Sequence, residues 1–128
     1  MRLLFDSHAL IWFLLGDNRF PDRLRLQLER PETEFVISAV CIWEITAKVR
    51  RGRWPAANEV ITTLVDLLRT TVYIPLPITI EHARTAGFLA WEHHDPFDRM
   101  LAAQSQAEGV PLVTADPAFR AFGTSVIW

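Results

Sequence analysis

Four carboxylates, Asp6, Glu44, Asp98 and Asp116, stand at positions in this chain from which they could meet at one site. Acids gathered without cations repel, so one or more takes up a proton or moves away. A divalent cation removes that conflict. Hard oxygen donors without a His and Cys pattern select Mg²⁺, or Mn²⁺, rather than zinc. Mg²⁺ uses one or two carboxylates directly and keeps several waters, which leaves it open to an incoming phosphate. The chemistry on offer is activation of a water and stabilisation of charge on a scissile phosphate.

Taken singly, each acid has a structural explanation. Asp6 can cap the first helix, and Glu44 can pair with Lys48 at i,i+4 spacing. Asp98 suits the first turn of a helix, and Asp116 suits a turn before Pro117. Taken together they require four independent reasons for lying at the same end of a sheet. A shared metal site supplies one reason for all four.

The elements that must position these acids follow from local signals. Asp95-Pro96 starts a helix, with Asp as N-cap and Pro at the first helical position. Asp95 is therefore a cap beside the site, in a supporting role. Gly109 suits the left-handed residue past the helix end, and Val110 to Thr114 is a short apolar run that reads as a buried strand. A helix over Pro96–Glu108 is about 20 Å long at roughly 1.5 Å per residue. The return from Pro111 to Asp116 covers about 20 Å at roughly 3.3 Å per residue, so Asp98 and Asp116 end level.

Upstream, Arg2 to Phe5 is a strand ending in Asp6-Ser7, followed by a helix over His8–Leu15 that is apolar almost all round. A second helix spans Pro21 to Glu29, with Leu24 and Leu28 on one face. Phe35-Val36-Ile37 is the next strand, and Ser38 caps a helix from Ala39 to about Arg51, closed by Gly52. Glu44 lies one to two turns into that helix. Ala56 to Arg69 is a further helix, Val72 to Leu76 an edge strand because of Pro75, and Thr79 caps a helix running to about Trp91. Thr124 to Trp128 is a last strand. Alternating strands and helices imply an α/β fold: three α/β/α layers around a mainly parallel sheet, in a single domain over residues 1–128. Ligands in such sheets bind outside the carboxyl ends of the strands. Ser7, Ser38 and Thr114 end their strands there and are expected to support the site, with N-capping the main role of the two serines. His93 and His94 could touch a phosphate but have no zinc spacing and read as loop residues.

Composition narrows the function. The 128 residues, half of them hydrophobic, carry 13 basic and 15 acidic side chains for a net charge of −2. That excludes a general nucleic-acid coat protein, for which a domain pI above about 9 is usual, so any nucleic acid must be held locally. All but one of the basic residues, Lys48, are arginine, the side chain suited to bidentate phosphate or carboxylate contacts. Arg50, Arg51 and Arg53, followed by Trp54, form a basic run at a helix end, where the dipole explains cations at least as well as a nucleic-acid contact does. The longest apolar run, Ala9 to Leu15, is too short to span a bilayer, and the N-terminus lacks the order of a signal peptide, so the expectation is a soluble cytoplasmic protein. The single Cys41 falls in a helix and reads as a buried thiol.

The segments FDSHALIWFL, ISAVCIWEITAKVRRGR, HHDPFDRMLAAQSQAEG and LVTADPAF, in this order over nearly the whole chain, resemble the PIN-domain ribonucleases, specifically the VapC-type toxins of toxin–antitoxin pairs. The resemblance puts the family's acids on Asp6, Glu44, Asp98 and Asp116. Ser7 stands where Thr often follows the first acid and preserves the hydroxyl. What the resemblance implies is a metal-dependent endoribonuclease acting on structured RNA and leaving a 5′-phosphate. It further implies a cognate antitoxin that blocks the acidic site, and a homodimer. Two other classes remain open to the residues. One is a non-catalytic module whose acidic rim binds a basic peptide. The other is a phosphatase-like domain, disfavoured because the only lysine is engaged with Glu44.

Overall fold

The computed structural model describes residues 1–69, 73–90 and 92–128. Five strands, β1 (Arg2–Phe5), β2 (Glu34–Ser38), β3 (Tyr73–Leu76), β4 (Leu112–Val113) and β5 (Val126–Ile127), form one sheet in the order β3-β2-β1-β4-β5. Every pairing is parallel. Six α-helices, α1 (Ser7–Leu15), α2 (Asp22–Leu28), α3 (Ala39–Arg50), α4 (Ala57–Leu67), α5 (Ile80–Phe88) and α6 (Pro96–Glu108), cover the sheet in the expected three-layer α/β/α arrangement, with a 3-10 helix at Pro117–Phe122.

β1 sits at the centre of the sheet and is buried on both faces: Leu3, Leu4 and Phe5 are fully enclosed, as a strand inside a parallel sheet must be. Burying one such side chain stabilises the fold by roughly 1.5–3 kcal/mol. Leu10, Ile11, Ile45, Leu101 and Phe119 pack into the same core. The chain adds β2 and β3 on one side of β1, then crosses back to add β4 and β5 on the other. The strand order thus reverses between β1 and β4, which is where open α/β sheets form their crevice. Phe5 pairs in register with Val113, so Asp6 and Thr114 leave the sheet side by side.

The Asp95-capped helix spans Pro96–Glu108 as expected, and Gly109 adopts the left-handed conformation with φ 64°. Ser38 caps α3 through Val40 N–H, and Thr79 caps α5 through His82 N–H. β3 is an edge strand, as Pro75 requires; Val72 of the expected strand lies outside the described residues. The expected strands at Val110–Thr114 and Thr124–Trp128 shrink to the two residues that pair, Leu112–Val113 and Val126–Ile127. The helix expected to reach Trp91 ends at Phe88, and Trp91 is outside the described residues. Cys41 is buried, its Sγ 3.2 Å from the Phe5 carbonyl oxygen, and burial pushes its thiol up. Among the described residues no helix is long and apolar enough to cross a membrane.

Candidate functional site

The carboxyl end of β1, the loop after β4, helix α3 and the N-terminus of α6 surround a cleft of about 670 Å³. Asp6, Glu44, Asp98 and Asp116 all line it, together with Ser7 and Asp95. Each arrives there by a local cause. Asp6 is the first residue past β1 and caps α1, its Oδ1 accepting from Ala9 N–H at 2.7 Å. The Thr114 hydroxyl donates to Asp6 Oδ2 and accepts from Asp116 N–H at 3.0 Å. One buried hydroxyl at the end of β4 therefore ties the first acid to the loop that carries the fourth. Asp116 in turn caps the 3-10 helix through Ala118 N–H at 2.9 Å; the turn expected before Pro117 is the start of that helix.

Asp95 accepts from Phe97 N–H at 2.9 Å and Asp98 N–H at 3.4 Å, so the helix cap also fixes the backbone of Asp98. Glu44 is 4% exposed. Its Oε1 lies 3.4 Å from Lys48 Nζ, while Oε2 is buried with no hydrogen-bond partner. Ser38 does not line the cleft. It caps α3 and donates to the Gln104 side chain.

The electrostatics fit a missing positive charge. Burial, reinforced by the charges of Asp98 and Glu44, pushes Asp6 up to about 6, although its bonds from Thr114 and Ala9 pull the other way. Burial likewise pushes Asp98 up to about 6, against its bond to His93 and with Asp95 and Glu44 adding repulsion. A buried carboxylate oxygen without a donor costs about 1–3 kcal/mol or more. A hard divalent cation bound among these acids would give that oxygen a partner and offset the repulsion.

Sequence reasoning set His93 aside, and the structure brings it in. Its Nε2 lies 2.8 Å from Asp98 Oδ2, and ligand atoms of His93, Asp95 and Asp98 fall within 4.8 Å of one another. The available signal was its place two residues before the cap, where the chain must turn over the helix N-terminus. His94 is exposed and does not line the cleft. His8 and Arg19 are further lining residues with no local signal. Burial and the neighbouring Lys48 lower the pKa of His8.

Comparisons with known proteins bear on the family and the fold. No curated protein sequence matches the chain. Among solved structures, a chain of Rickettsia felis VapBC2 bound to a promoter DNA fragment superposes with a TM-score of 0.71 at 17% identity, covering 99% of this chain and 98% of that one. Mycobacterium tuberculosis VapC20, described as a sarcin-ricin loop cleaving toxin, gives 0.68 at 19% identity with 95% of each chain covered. DNA-bound VapBC from Salmonella typhimurium gives 0.69 at 18%, covering 99% and 97%. The PIN domain profile matches residues 3–124, nearly the whole sequence, and the chain belongs to the PIN-domain family.

Proposed function

We propose that this protein is a metal-dependent endoribonuclease, the toxin of a toxin–antitoxin pair, hydrolysing RNA phosphodiester bonds at the cleft formed by Asp6, Glu44, Asp98 and Asp116. The observation that carries the reading is the convergence of these acids, from four separate segments, on one cleft in which Glu44 Oε2 is buried without a partner. Membership of the PIN-domain family supports it. So does likeness in fold to structures of VapBC complexes and of a toxin that cleaves the sarcin-ricin loop.

Asp6, Glu44 and Asp98 would hold Mg²⁺ (or Mn²⁺), with Asp116 at the rim. When bound, the ion supplies a polarised water and charge stabilisation at the scissile phosphate. The chain's own residues set the geometry. The Thr114 hydroxyl orients Asp6, the Asp95 cap and His93 orient Asp98, and Lys48 holds one oxygen of Glu44 while the other is left buried without a partner. Ser38 caps α3 behind the acids; Ser7, expected as a cap, is instead the first residue of α1, which Asp6 caps, and its buried hydroxyl has no hydrogen-bond partner. A cognate antitoxin would occlude the cleft, and the working form would be a single-domain protomer in a cytoplasmic homodimer. The test is cleavage of total RNA by protein freed of any partner, in Mg²⁺ or Mn²⁺ and again with chelator, followed by mapping of the ends. Chelator-sensitive cleavage is expected; no cleavage in either metal would overturn the reading.

A further inference from the structure

The acidic cleft explains how a phosphate would be attacked but not how RNA is brought to it. The chain has net charge −2, and its cleft acids repel a polyanion. Nucleic-acid affinity comes largely from cations that neutralise phosphates, so a local cationic surface is needed beside the cleft.

The end of α3 has the required features. Residues 45–58 contain Lys48, Arg50, Arg51 and Arg53 and no acid. Arg50, Arg51 and Arg53 are exposed, and among the described residues none of them has an ion-pair partner. Four surface arginines elsewhere do, Arg2 with Glu34, Arg19 with Asp17, Arg69 with Asp66 and Arg84 with Glu81; Arg23, Arg30 and Arg120 are exposed without an ion pair among the described residues but stand singly, whereas Arg50, Arg51 and Arg53 fall within four residues of one another. The turn is held in one shape. Gly52, at φ 69°, donates to the Val49 carbonyl at 3.0 Å, and Arg53 N–H donates to the Lys48 carbonyl at 3.0 Å. The next residue fastens the turn to the cleft. The Trp54 ring lies 4.7 Å from the His8 ring, with Lys48 Nζ 5.6 Å from its centroid, and both His8 and Lys48 line the cleft.

The helix dipole favours cations in the last turn and at the C-cap, so it accounts for Lys48, Arg50 and Arg51 but not for Arg53, one residue past Gly52. We propose that Arg50, Arg51 and Arg53 form the docking surface for the phosphodiester backbone of RNA entering the acidic cleft. Guanidinium forks match phosphate oxygens in geometry as well as charge. The inference rests on the nuclease reading for its substrate, and it assigns these arginines to positioning rather than to chemistry.

Three measurements test it on the full-length protein: the salt dependence of RNA binding, the kinetics of cleavage, and binding of the cognate antitoxin. In chelator, binding of a labelled single-stranded RNA is followed between about 50 and 200 mM salt, where each phosphate contact contributes roughly 0.7 to the log–log slope. Arg50→Gln, Arg51→Gln and Arg53→Gln combined should flatten the slope by about 2; the triple lysine variant should keep most of it. In Mg²⁺ the glutamine variant should raise KM with kcat retained. An unchanged slope and KM, or wild-type protein that binds no RNA at low salt, overturns the proposal. Loss of antitoxin binding with the RNA slope intact overturns it in favour of a protein-binding surface. Wild-type protein that binds RNA with the expected slope but cleaves none leaves the docking surface standing and removes the nuclease reading.

Discussion

Helix α6 carries a histidine–carboxylate pair at each end, and the pairs are alike in distance alone. At the N-terminus His93 Nε2 lies 2.8 Å from Asp98 Oδ2; near the C-terminus His82 Nε2 lies 2.7 Å from Glu108 Oε1. His82 is the buried partner of its pair. Its Nδ1 accepts from Thr79 N–H at 3.1 Å and lies 3.3 Å from Gln104 Nε2, while Gln104 also accepts from Ser38. Glu108 faces water at 43% side-chain exposure. Asp98 is the more enclosed acid, at 18%, and shares its surroundings with Asp95 and Glu44. A short histidine–carboxylate contact therefore does not mark a site by itself. Company of like charge in a cleft does.

The sharpest way to break the comparison is to remove the charge at each end in turn. Asp98→Asn should lower kcat for RNA cleavage by about three orders of magnitude, since a metal-centred site supplies several kcal/mol of transition-state stabilisation. Glu108→Gln should leave kcat unchanged. Equal losses from the two substitutions would mean that the cleft is not the reacting site. The histidines should divide the other way. His82→Ala removes a buried side chain bonded at both ring nitrogens and should cost about 2–4 kcal/mol of stability, read by urea unfolding. His93→Ala should cost less than about 1 kcal/mol, because its ring is about one-third exposed.

The same two ends show what was legible in the sequence. Asp95, Pro96 and Gly109 fixed both limits of α6 through cap chemistry, which depends on neighbours one to four residues away. The convergence of Asp6 with Asp116 was legible too, because parallel strands alternating with helices leave one rim for both. Contacts that depend on loop paths were not. His8 and Arg19 lining the cleft and Ser38 turning to Gln104 rather than to the acids have no periodic or capping signal, and the place of His93 two residues before a cap does not specify its bond to Asp98. The strand ends of β4 and β5 were overdrawn for a related reason: apolar runs continue past the two residue pairs that hydrogen-bond.

The shifted acids of the cleft make a pH prediction of slightly smaller size. Asp6 is pushed up to about 6 in the folded protein against 3.8 for an unperturbed carboxyl. A raised folded value means that the native state binds the proton more tightly. The stabilisation is therefore full below about pH 4 and lost as pH rises through about 6. In chelator, unfolding free energy should fall over that window by on the order of 2–3 kcal/mol from Asp6. Mg²⁺ should recover stability at pH 7, by about 2.7 kcal/mol at a hundredfold excess over Kd, and little of it at pH 4. Flat stability from pH 4 to 7 in chelator would show that burial does not raise Asp6 in the folded protein.

The smallest effect bears on His93 and separates positioning from plain support. Its bond to Asp98 opposes the upward push of burial and of Asp95 and Glu44 on that carboxyl. His93→Ala removes the opposition, so the Asp98 proton should be lost at higher pH. The acid limb of the kcat/KM profile should then move to higher pH by about half a unit, with activity at pH 8 largely retained. His93→Gln, which keeps a donor near Asp98, should restore part of the wild-type limb. A purely structural role would lower activity at every pH and leave the limb in place.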